Sequence, residues 1–378
     1  MATNAYVWCA GAEQGLDTIP APLSTLAHAA GRLLGIAPIA THYTVDMFNW
    51  NLRDPSLPPL ADNIDILHSF TGTPDETWFY AVTTEIEYRG GVSLQHMLSA
   101  IEAAAKKDSA GVTAALHGVS ASIEASQAAL HRMHEHLDPD VFYNQIRIFL
   151  AGWRNNPNLP NGVVYAGVDH EQPQHYFGAS AAQSPAIAAL DVFLGVRHGT
   201  AGDASTAVED PDKKTEVHYL QAMRHYMVER HRAFLSQLAI EREVLQHFLP
   251  ESSQAARDAY AGVAAALKAF RDEHLRIVAR FIINPARSTS CPPLFVSCLQ
   301  PPVNATSLKS QKPNKHATKS RTKNKFVSCL FRAYPALVDS KVKGDGGPAE
   351  RGTGGTELVQ FLKDVRQDGY QRALSTLN

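Results

Sequence analysis

The sequence predicts a mainly α-helical fold arranged in two domains. Apolar residues recur at helical spacing over most of the chain, and strand signals are few. No run of about 20 apolar residues is present, as a membrane-spanning helix would need. With 378 residues, 44% of them apolar and 19% charged, the composition is that of a globular protein with a large core. A formal net charge of −2 gives no general attraction to nucleic acid or membranes, so we expect neither as a partner.

The predicted elements follow one another along the chain. Residues 20–70 are rich in Pro and Asn and carry only short helical patches. Helical patterns then dominate, over 78–107, 112–137, 138–153, 184–196, 216–238 and 255–282. Asp138 is expected to cap its helix, with Pro139 at the first helical position. A glycine-rich turn, GTGGT at 352–356, leads into a final helix.

The cysteines and the first residues predict a cytoplasmic protein. Cys9, Cys291, Cys298 and Cys329 form no CxxC pair and show no metal-ligand spacing, which favours a reducing compartment. The first fifteen residues lack the basic start and long apolar stretch of a secretory signal.

Residues 286–338 differ from the rest of the chain. They contain no Asp or Glu, nine Lys or Arg, three of the four cysteines, and the pentapeptide FVSCL twice. Their centre has the composition of a disordered, solvated segment. It could be a nuclear-localisation or polyanion-binding segment, a tolerated loop, or a translated intron. The second and third interpretations are favoured over the first.

The segment AFRDEHLRIVARFI, residues 269–282, places His274 on the apolar face of a helix. An unsatisfied buried imidazole costs about 1–3 kcal/mol, so this ring is expected either to hydrogen-bond in the core or to bind a ligand. No partner stands four residues further on, which argues against a tetrahedral zinc site. One histidine facing an apolar pocket suits a haem, which supplies four nitrogen ligands itself.

Many segments together resemble the indoleamine 2,3-dioxygenase family, more closely its fungal than its vertebrate members. The segments, in order, are FNWNLRDP (48–55), DILHSF (65–70), WFYAVTTEIE (78–87), residues 131–168, FGASAAQS (177–184), DVFLGV (191–196), YLQAMRHYM (219–227), HRAFL (231–235), FRDEHLRIV (270–278) and GTGGTELVQFLK (352–363). The resemblance implies an all-helical haem dioxygenase fold with haem between two domains. The small N-terminal domain would be 1–70, shorter than in the family, and the large haem-binding domain 71–285. The basic insertion would be 286–350, and 351–378 would return to the large domain as flap and helix.

The resemblance also implies roles for individual residues. It implies haem b, active in the Fe2+ form, with His274 as the proximal iron ligand. The substrate carboxylate would be held by Arg147. The other substrate-binding positions would be Phe142, Thr353, Phe79 and Thr83, and the haem-pocket positions Tyr80, Ala179, Ser180, Ala181, Asp191 and Arg271. Asp191 would either hold the proximal helix through Arg271 or simply pair locally.

The implied activity is insertion of both atoms of O2 across the indole 2,3 bond of L-tryptophan to give N-formylkynurenine. It belongs to tryptophan catabolism, the kynurenine pathway and NAD biosynthesis. A monomer is expected, with an apolar distal pocket, no distal histidine and no side chain acting as acid or base. His42, Val45 and Asp46 stand where mammalian members carry Tyr, Cys and Val, so pocket shape and substrate preference are expected to differ. The alternatives are a non-catalytic haem protein that binds O2 as carrier or sensor, and a haem-free helical scaffold.

A second histidine-rich segment, HRMHEH at 131–136, lacks the spacing of an HExxH metal motif. Because it lies at the end of a predicted helix, we interpret it as a solvated helix terminus.

Overall fold

The computed structural model describes residues 1–9, 15–196, 207–209, 216–288 and 358–377, and they are mainly helical. The α-helices are α1 (Ala2–Cys9), α2 (Ala21–Leu34), α3 (Pro74–Ala105), α4 (Ser109–His131), α5 (Met133–His136), α6 (Pro139–Val141), α7 (Arg147–Leu150), α8 (Pro185–Phe193), α9 (Tyr219–Met223), α10 (Glu229–Phe248), α11 (Gln254–Val278), α12 (Asn284–Ser288) and α13 (Leu358–Ser375). Three π-helical turns lie at Tyr43–Met47, Phe142–Ile146 and Ala279–Ile283. Short 3-10 turns lie at Ala61–Asn63, Asp169–Glu171, Ala181–Gln183, Arg224–Tyr226 and Leu249–Glu251.

The strands are two or three residues long and pair only two at a time in the described ranges. β1 (Thr18–Ile19) runs parallel to β4 (Val164–Tyr165). β2 (Trp50–Leu52) is antiparallel to β3 (Ile64–Ile66), and β5 (Ala207–Glu209) to β6 (Glu216–His218). The prediction of a mainly α-helical fold is therefore confirmed. In the part of the chain described here, no helix combines the length and hydropathy needed to cross a lipid bilayer.

The main core is a helical layer in which α3 packs along α4, and α4 along α11. The side chain of Thr73 caps α3 by accepting a hydrogen bond from the backbone of Glu76 at 3.2 Å. Gly90, inside α3, lets α8 cross closely, since a Cβ there would stand 3.0 Å from the Cβ of Ala186. The predicted apolar stripe of 255–282 is buried in this core through Val263, Leu267 and other residues.

A second core lies on the other side of α3 and is rich in aromatic side chains, among them Trp8, Trp153 and Phe177. Asn4, near the start of the chain, joins two segments of this second core by hydrogen bonds. The amide of Asn4 donates to the carbonyls of Phe149 (3.0 Å) and Ala151 (3.2 Å), and its oxygen accepts from the backbone of Ala40 at 2.9 Å. These buried hydrogen bonds fix the end of α7 and the segment before the first π-turn.

Two of the predicted helices are interrupted. The prediction of one helix over 216–238 is wrong, because β6, α9 and a 3-10 turn precede a break at Met227 and Val228. There the guanidinium of Arg232 donates to the carbonyls of Met227 and Gly35, both at 2.6 Å, and this long-range contact holds the extended backbone. Residues 138–153 also divide into α6, a π-turn and α7, although Asp138 does cap the helix, as predicted.

The division at residues 70, 285 and 350 stays a prediction. Residues 286–288 lie in α12, and the rest of the basic insertion and the GTGGT turn fall outside the described residues.

Candidate functional site

A cavity of about 280 Å³ lies between α3, α8, α11 and the residues 179–184. Its walls are mostly aliphatic and aromatic, with side chains from α13 contributing as well. Cavities of this kind, with few polar groups in an apolar wall, are the usual place for a small ligand or cofactor.

The wall formed by α11 carries Phe270, His274 and Ile277, followed by Phe281 in the next π-turn. Burial lowers the pKa of His274 to about 4, and the positive charge of Arg271 lowers it further. The ring is therefore neutral at pH 7, and it forms no hydrogen bond within the described part of the chain. A neutral imidazole without a protein partner is the form that binds a metal.

Beside His274, α11 is joined to α8 by a buried ion pair. The guanidinium of Arg271 donates to the carboxylate of Asp191 at 2.5 Å and to the carbonyl of Val365 at 3.4 Å. Arg271 is 8% exposed and Asp191 5%, so the pair is shielded from solvent. The two residues predicted to make this contact do make it, and they tie α8 and α13 to the helix of His274.

The wall formed by α3 presents every fourth residue to the cavity, namely Phe79, Thr83 and Glu87. The hydroxyl of Thr83 donates to the carbonyl of Phe79 at 2.8 Å, so it is engaged within the helix. Tyr80 was predicted to belong to the haem pocket, but it does not line the cavity. Successive residues of a helix point about 100° apart, and Tyr80 is buried in the second core instead.

Arg147 reaches the cavity because the chain before it forms a π-turn. Phe142 and Arg147 are five residues apart, a spacing that turns them to different sides of an α-helix but to one side of a π-turn. Both line the cavity, and Phe142 packs on Phe79 with ring centroids 4.9 Å apart. Burial lowers the pKa of the Arg147 guanidinium. Arg147 thus places a cationic side chain beside the aromatic rings of Phe79 and Phe142.

Ala179, Ser180 and Ala181 line the cavity from the loop before α8. The backbone of this loop is fixed by the hydroxyl of Ser180, which accepts from the backbone of Ala182 at 3.2 Å. Ala179 does not need a glycine-like backbone, since its φ is not positive. Thr353, predicted for the same site, lies outside the described residues.

The polar wall of the cavity is a cluster of His42, Asp46 and Glu87; the sequence analysis named His42 and Asp46 as pocket positions but not Glu87 or the contacts among the three. His42 binds Asp46 through Nδ1 at 2.8 Å and Glu87 through Nε2 at 2.9 Å, and all three side chains are buried. Burial opposes a charge on His42, but the bonds to the two carboxylates outweigh it and raise its pKa to about 10. Burial raises the pKa of Asp46. We expected no distal histidine, and this one is no free base, since both ring nitrogens are held.

Two sequence signals could have revealed the cluster. His42 and Asp46 are four residues apart in a helical segment, and Glu87 stands eight residues after Phe79 on the same face of α3. Neither signal shows that the two segments meet.

The HRMHEH segment is brought close to α11. His131 is exposed and lies 3.1 Å from Glu273, and ligand atoms of His131, His134 and Glu273 lie within 4.8 Å of one another. The other oxygen of Glu273 accepts from Arg276 at 2.6 Å. An ion pair and a hydrogen bond thus account for the position of Glu273.

The fold and the cavity define a helical protein that offers one neutral histidine to an apolar pocket, as a haem protein does. The model of the family described as "Indoleamine 2,3-dioxygenase" matches residues 1–372. The chain is 33% identical to indoleamine 2,3-dioxygenase of Saccharomyces cerevisiae, over 97% of this chain and 74% of that protein. It is 30% identical to indoleamine 2,3-dioxygenase 1 of Rattus norvegicus, over 99% and 77% of the two chains. It is also 29% identical to a protein named myoglobin from Haliotis diversicolor, over 76% and 71%.

The chain belongs to the indoleamine 2,3-dioxygenase family, and it is a dioxygenase. This family is haem-dependent. The described residues fit that group: a neutral imidazole that forms no hydrogen bond with another described residue, walls that are mostly apolar, and no second histidine free to bind the metal in the described cavity wall.

Proposed function

We propose that this protein converts L-tryptophan and O2 into N-formylkynurenine on a haem b held by His274. The indole C2–C3 bond is cleaved and both oxygen atoms remain in the product, so no further reductant is consumed in the turnover itself. When bound, ferrous haem supplies the oxygen chemistry. The residues of the chain bind, orient and enclose the substrate.

The observation that carries the proposal is Arg147 in the wall of the same cavity as His274. A guanidinium at the edge of an apolar pocket suits a carboxylate, which it can bind with two parallel hydrogen bonds. An amino acid with an apolar ring matches this pattern: its carboxylate at Arg147 and its ring among Phe79 and Phe142.

The remaining site residues support this arrangement. Thr353 and a haem propionate are proposed to position the substrate ammonium. The side chains of Ala179, Ser180 and Ala181 are small, which leaves room for the substrate above the haem. The mostly apolar walls exclude water from the cavity in which the cofactor and the substrate would react.

No side chain is proposed as a general acid or base. The hydroxyl of Thr83 is donated to a backbone carbonyl, and both nitrogens of His42 are held by carboxylates. Asp191 and Arg271 are proposed to keep α11 in place, so that His274 presents its nitrogen at a constant position. Tyr80 is proposed to act indirectly, by packing behind Phe79, with ring centroids 5.6 Å apart.

The test is turnover of purified, haem-loaded protein with tryptophan, ascorbate and methylene blue, with N-formylkynurenine measured directly. Arg147→Ala should retain the haem spectrum but lower kcat/KM for tryptophan about 10- to 100-fold, since a hydrogen-bonded charge pair is lost. Arg230→Ala removes an exposed arginine and serves as the matched control, with unchanged kcat/KM. Wild-type haem protein that forms no product would contradict the proposal.

A second candidate function is reversible O2 binding without catalysis. The similarity to the abalone protein named myoglobin favours it. An oxygen carrier has no use for a carboxylate-binding arginine, so Arg147 favours the enzyme. A stable oxygenated spectrum that is unaffected by tryptophan, without product, would identify a carrier.

We also propose a cytoplasmic monomer acting in the kynurenine pathway that leads to NAD biosynthesis. The four cysteines without disulfide or metal spacing support the reducing compartment. Size-exclusion chromatography with light scattering tests the monomer.

A further inference from the structure

The buried cluster of His42, Asp46 and Glu87 is unusual for the wall of an apolar cavity. Each carboxyl group binds the imidazole through one oxygen. Oδ2 of Asp46 lies 2.8 Å from Nδ1 of His42, and Oε1 of Glu87 lies 2.9 Å from Nε2. The other two oxygens, Oδ1 of Asp46 and Oε2 of Glu87, are buried and accept no hydrogen bond from the described residues. Buried acceptors of this kind are normally satisfied, so the cluster is built to receive a donor.

The charge of the cluster strengthens this requirement. The imidazolium of His42 lies between the carboxyl groups of Asp46 and Glu87, and His231 lies near Glu87. Both free oxygens therefore belong to carboxyl groups that already bind this one cation. A group that brings a polarised O–H or N–H to this wall therefore gains a charge-assisted hydrogen bond.

The position of the cluster in the cavity indicates which part of a bound substrate lies next to it. Along α3, Phe79 packs on Phe142 near Arg147, Thr83 follows one turn later, and Glu87 one turn after that. Glu87 lies about 12 Å further along the axis of α3 than Phe79, the residue that packs on Phe142. A substrate whose carboxylate is held at Arg147 lays its ring across Thr83, with the far edge of the ring towards Asp46 and Glu87.

We propose that His42, Asp46 and Glu87 form a subsite for a hydrogen-bond donor on the benzene ring of the indole, a hydroxyl or an amino group. This inference rests on the proposed function, because Arg147 must hold the carboxylate. A ring hydroxyl donates to the free oxygen of Asp46 or Glu87. A ring methyl group, of similar size, leaves both oxygens unsatisfied. Asp46 and Glu87 thereby determine specificity, with His42 positioning both carboxylates.

The experiment compares 5-hydroxy-L-tryptophan with 5-methyl-L-tryptophan on the haem-loaded protein. Two quantities are measured for each: kcat/KM for ring cleavage, and Kd from the haem absorption change with ferric protein. The wild type is expected to favour the hydroxyl compound at least about tenfold in both quantities. Asp46→Asn and Glu87→Gln keep the oxygen that faces His42 but replace the free acceptor by an NH2 donor. Each variant should bring the preference for the hydroxyl over the methyl compound close to one, or reverse it, in both kcat/KM and Kd.

The matched control is Glu124→Gln, which removes the same charge from an exposed position and should keep the wild-type ratio. If Asp46→Asn or Glu87→Gln loses its haem spectrum, the hydroxyl-to-methyl ratio of the other variant decides whether the subsite exists. A wild-type ratio near one, or a ratio that both variants leave unchanged, overturns the subsite. Absence of product from L-tryptophan with the wild-type protein contradicts the proposed function instead, and the Kd ratio of the two analogues then still decides the subsite.

Discussion

The two facing walls of the cavity each carry a histidine, and they hold it in opposite states. On α11, His274 forms no hydrogen bond with another described residue, and burial lowers its pKa to about 4. On the other wall, His42 is 3% exposed, but two carboxylates raise its pKa to about 10. The same side chain is a neutral imidazole on one wall and a hydrogen-bonded cation on the other. Burial alone does not decide the state of a histidine, because its charged neighbours do.

The largest expected effect is the difference in haem-iron ligation between variants of the two histidines. His274→Ala should lose iron ligation, because no other imidazole in the described cavity wall is free to replace it. His42→Ala should keep it. Soret spectra after haem loading measure the difference, and exogenous imidazole should restore the spectrum of the first variant only. His247→Ala, an exposed histidine, is the control. Equal Soret spectra for His274→Ala and the wild type would reject the assignment of the iron ligand.

The next effect is on stability. His42→Ala leaves two buried carboxylates facing each other without a cation, so the free energy of unfolding should fall by about 3–5 kcal/mol. Urea denaturation followed by circular dichroism measures it. His247→Ala should change the same quantity by less than about 0.5 kcal/mol. A loss as small as the control's would mean that the carboxylates are already neutral.

A smaller effect follows from pH. The folded pKa of His42, about 10, lies above its unfolded value, so its stabilisation is complete below pH 6.5 and is lost as pH rises through 10. Between pH 7 and 9 the wild type should therefore lose about 2.5 kcal/mol relative to His42→Ala. Urea midpoints of both proteins at several pH values test this. Parallel curves would place the pKa of His42 near its ordinary value.

The smallest effect is expected at Thr83. Its hydroxyl already donates to the carbonyl of Phe79, so Thr83→Val should change kcat/KM for tryptophan by less than about fivefold. Steady-state turnover measures this, with Arg147→Ala as the contrasting variant. A loss above 100-fold would show that the hydroxyl acts on the substrate.

Sequence reasoning identified most of the features that depend on a single segment of the chain. His274, Phe270 and Phe281 follow from a helical stripe, and the cap at Asp138 follows from its neighbours in sequence. It did not show that Tyr80 lies in the second core and not in the cavity wall, because resemblance gives a position in a motif but not the direction of a side chain. It also joined 216–238 into one helix. The break in that segment is held by the contact between Arg232 and Gly35, which are 197 residues apart in the sequence, so no local pattern predicts it.

The sequence by itself determined the helices, the family and the residue on which haem is expected to bind. Those features depend on local spacing and on motifs that need no knowledge of the fold. Only the tertiary structure decided that Arg147 shares a cavity with His274, through a π-turn, and that His42 lies between two carboxylates. Glu87 is 45 residues away from His42, and charges that meet across such a distance set a pKa that no sequence window contains.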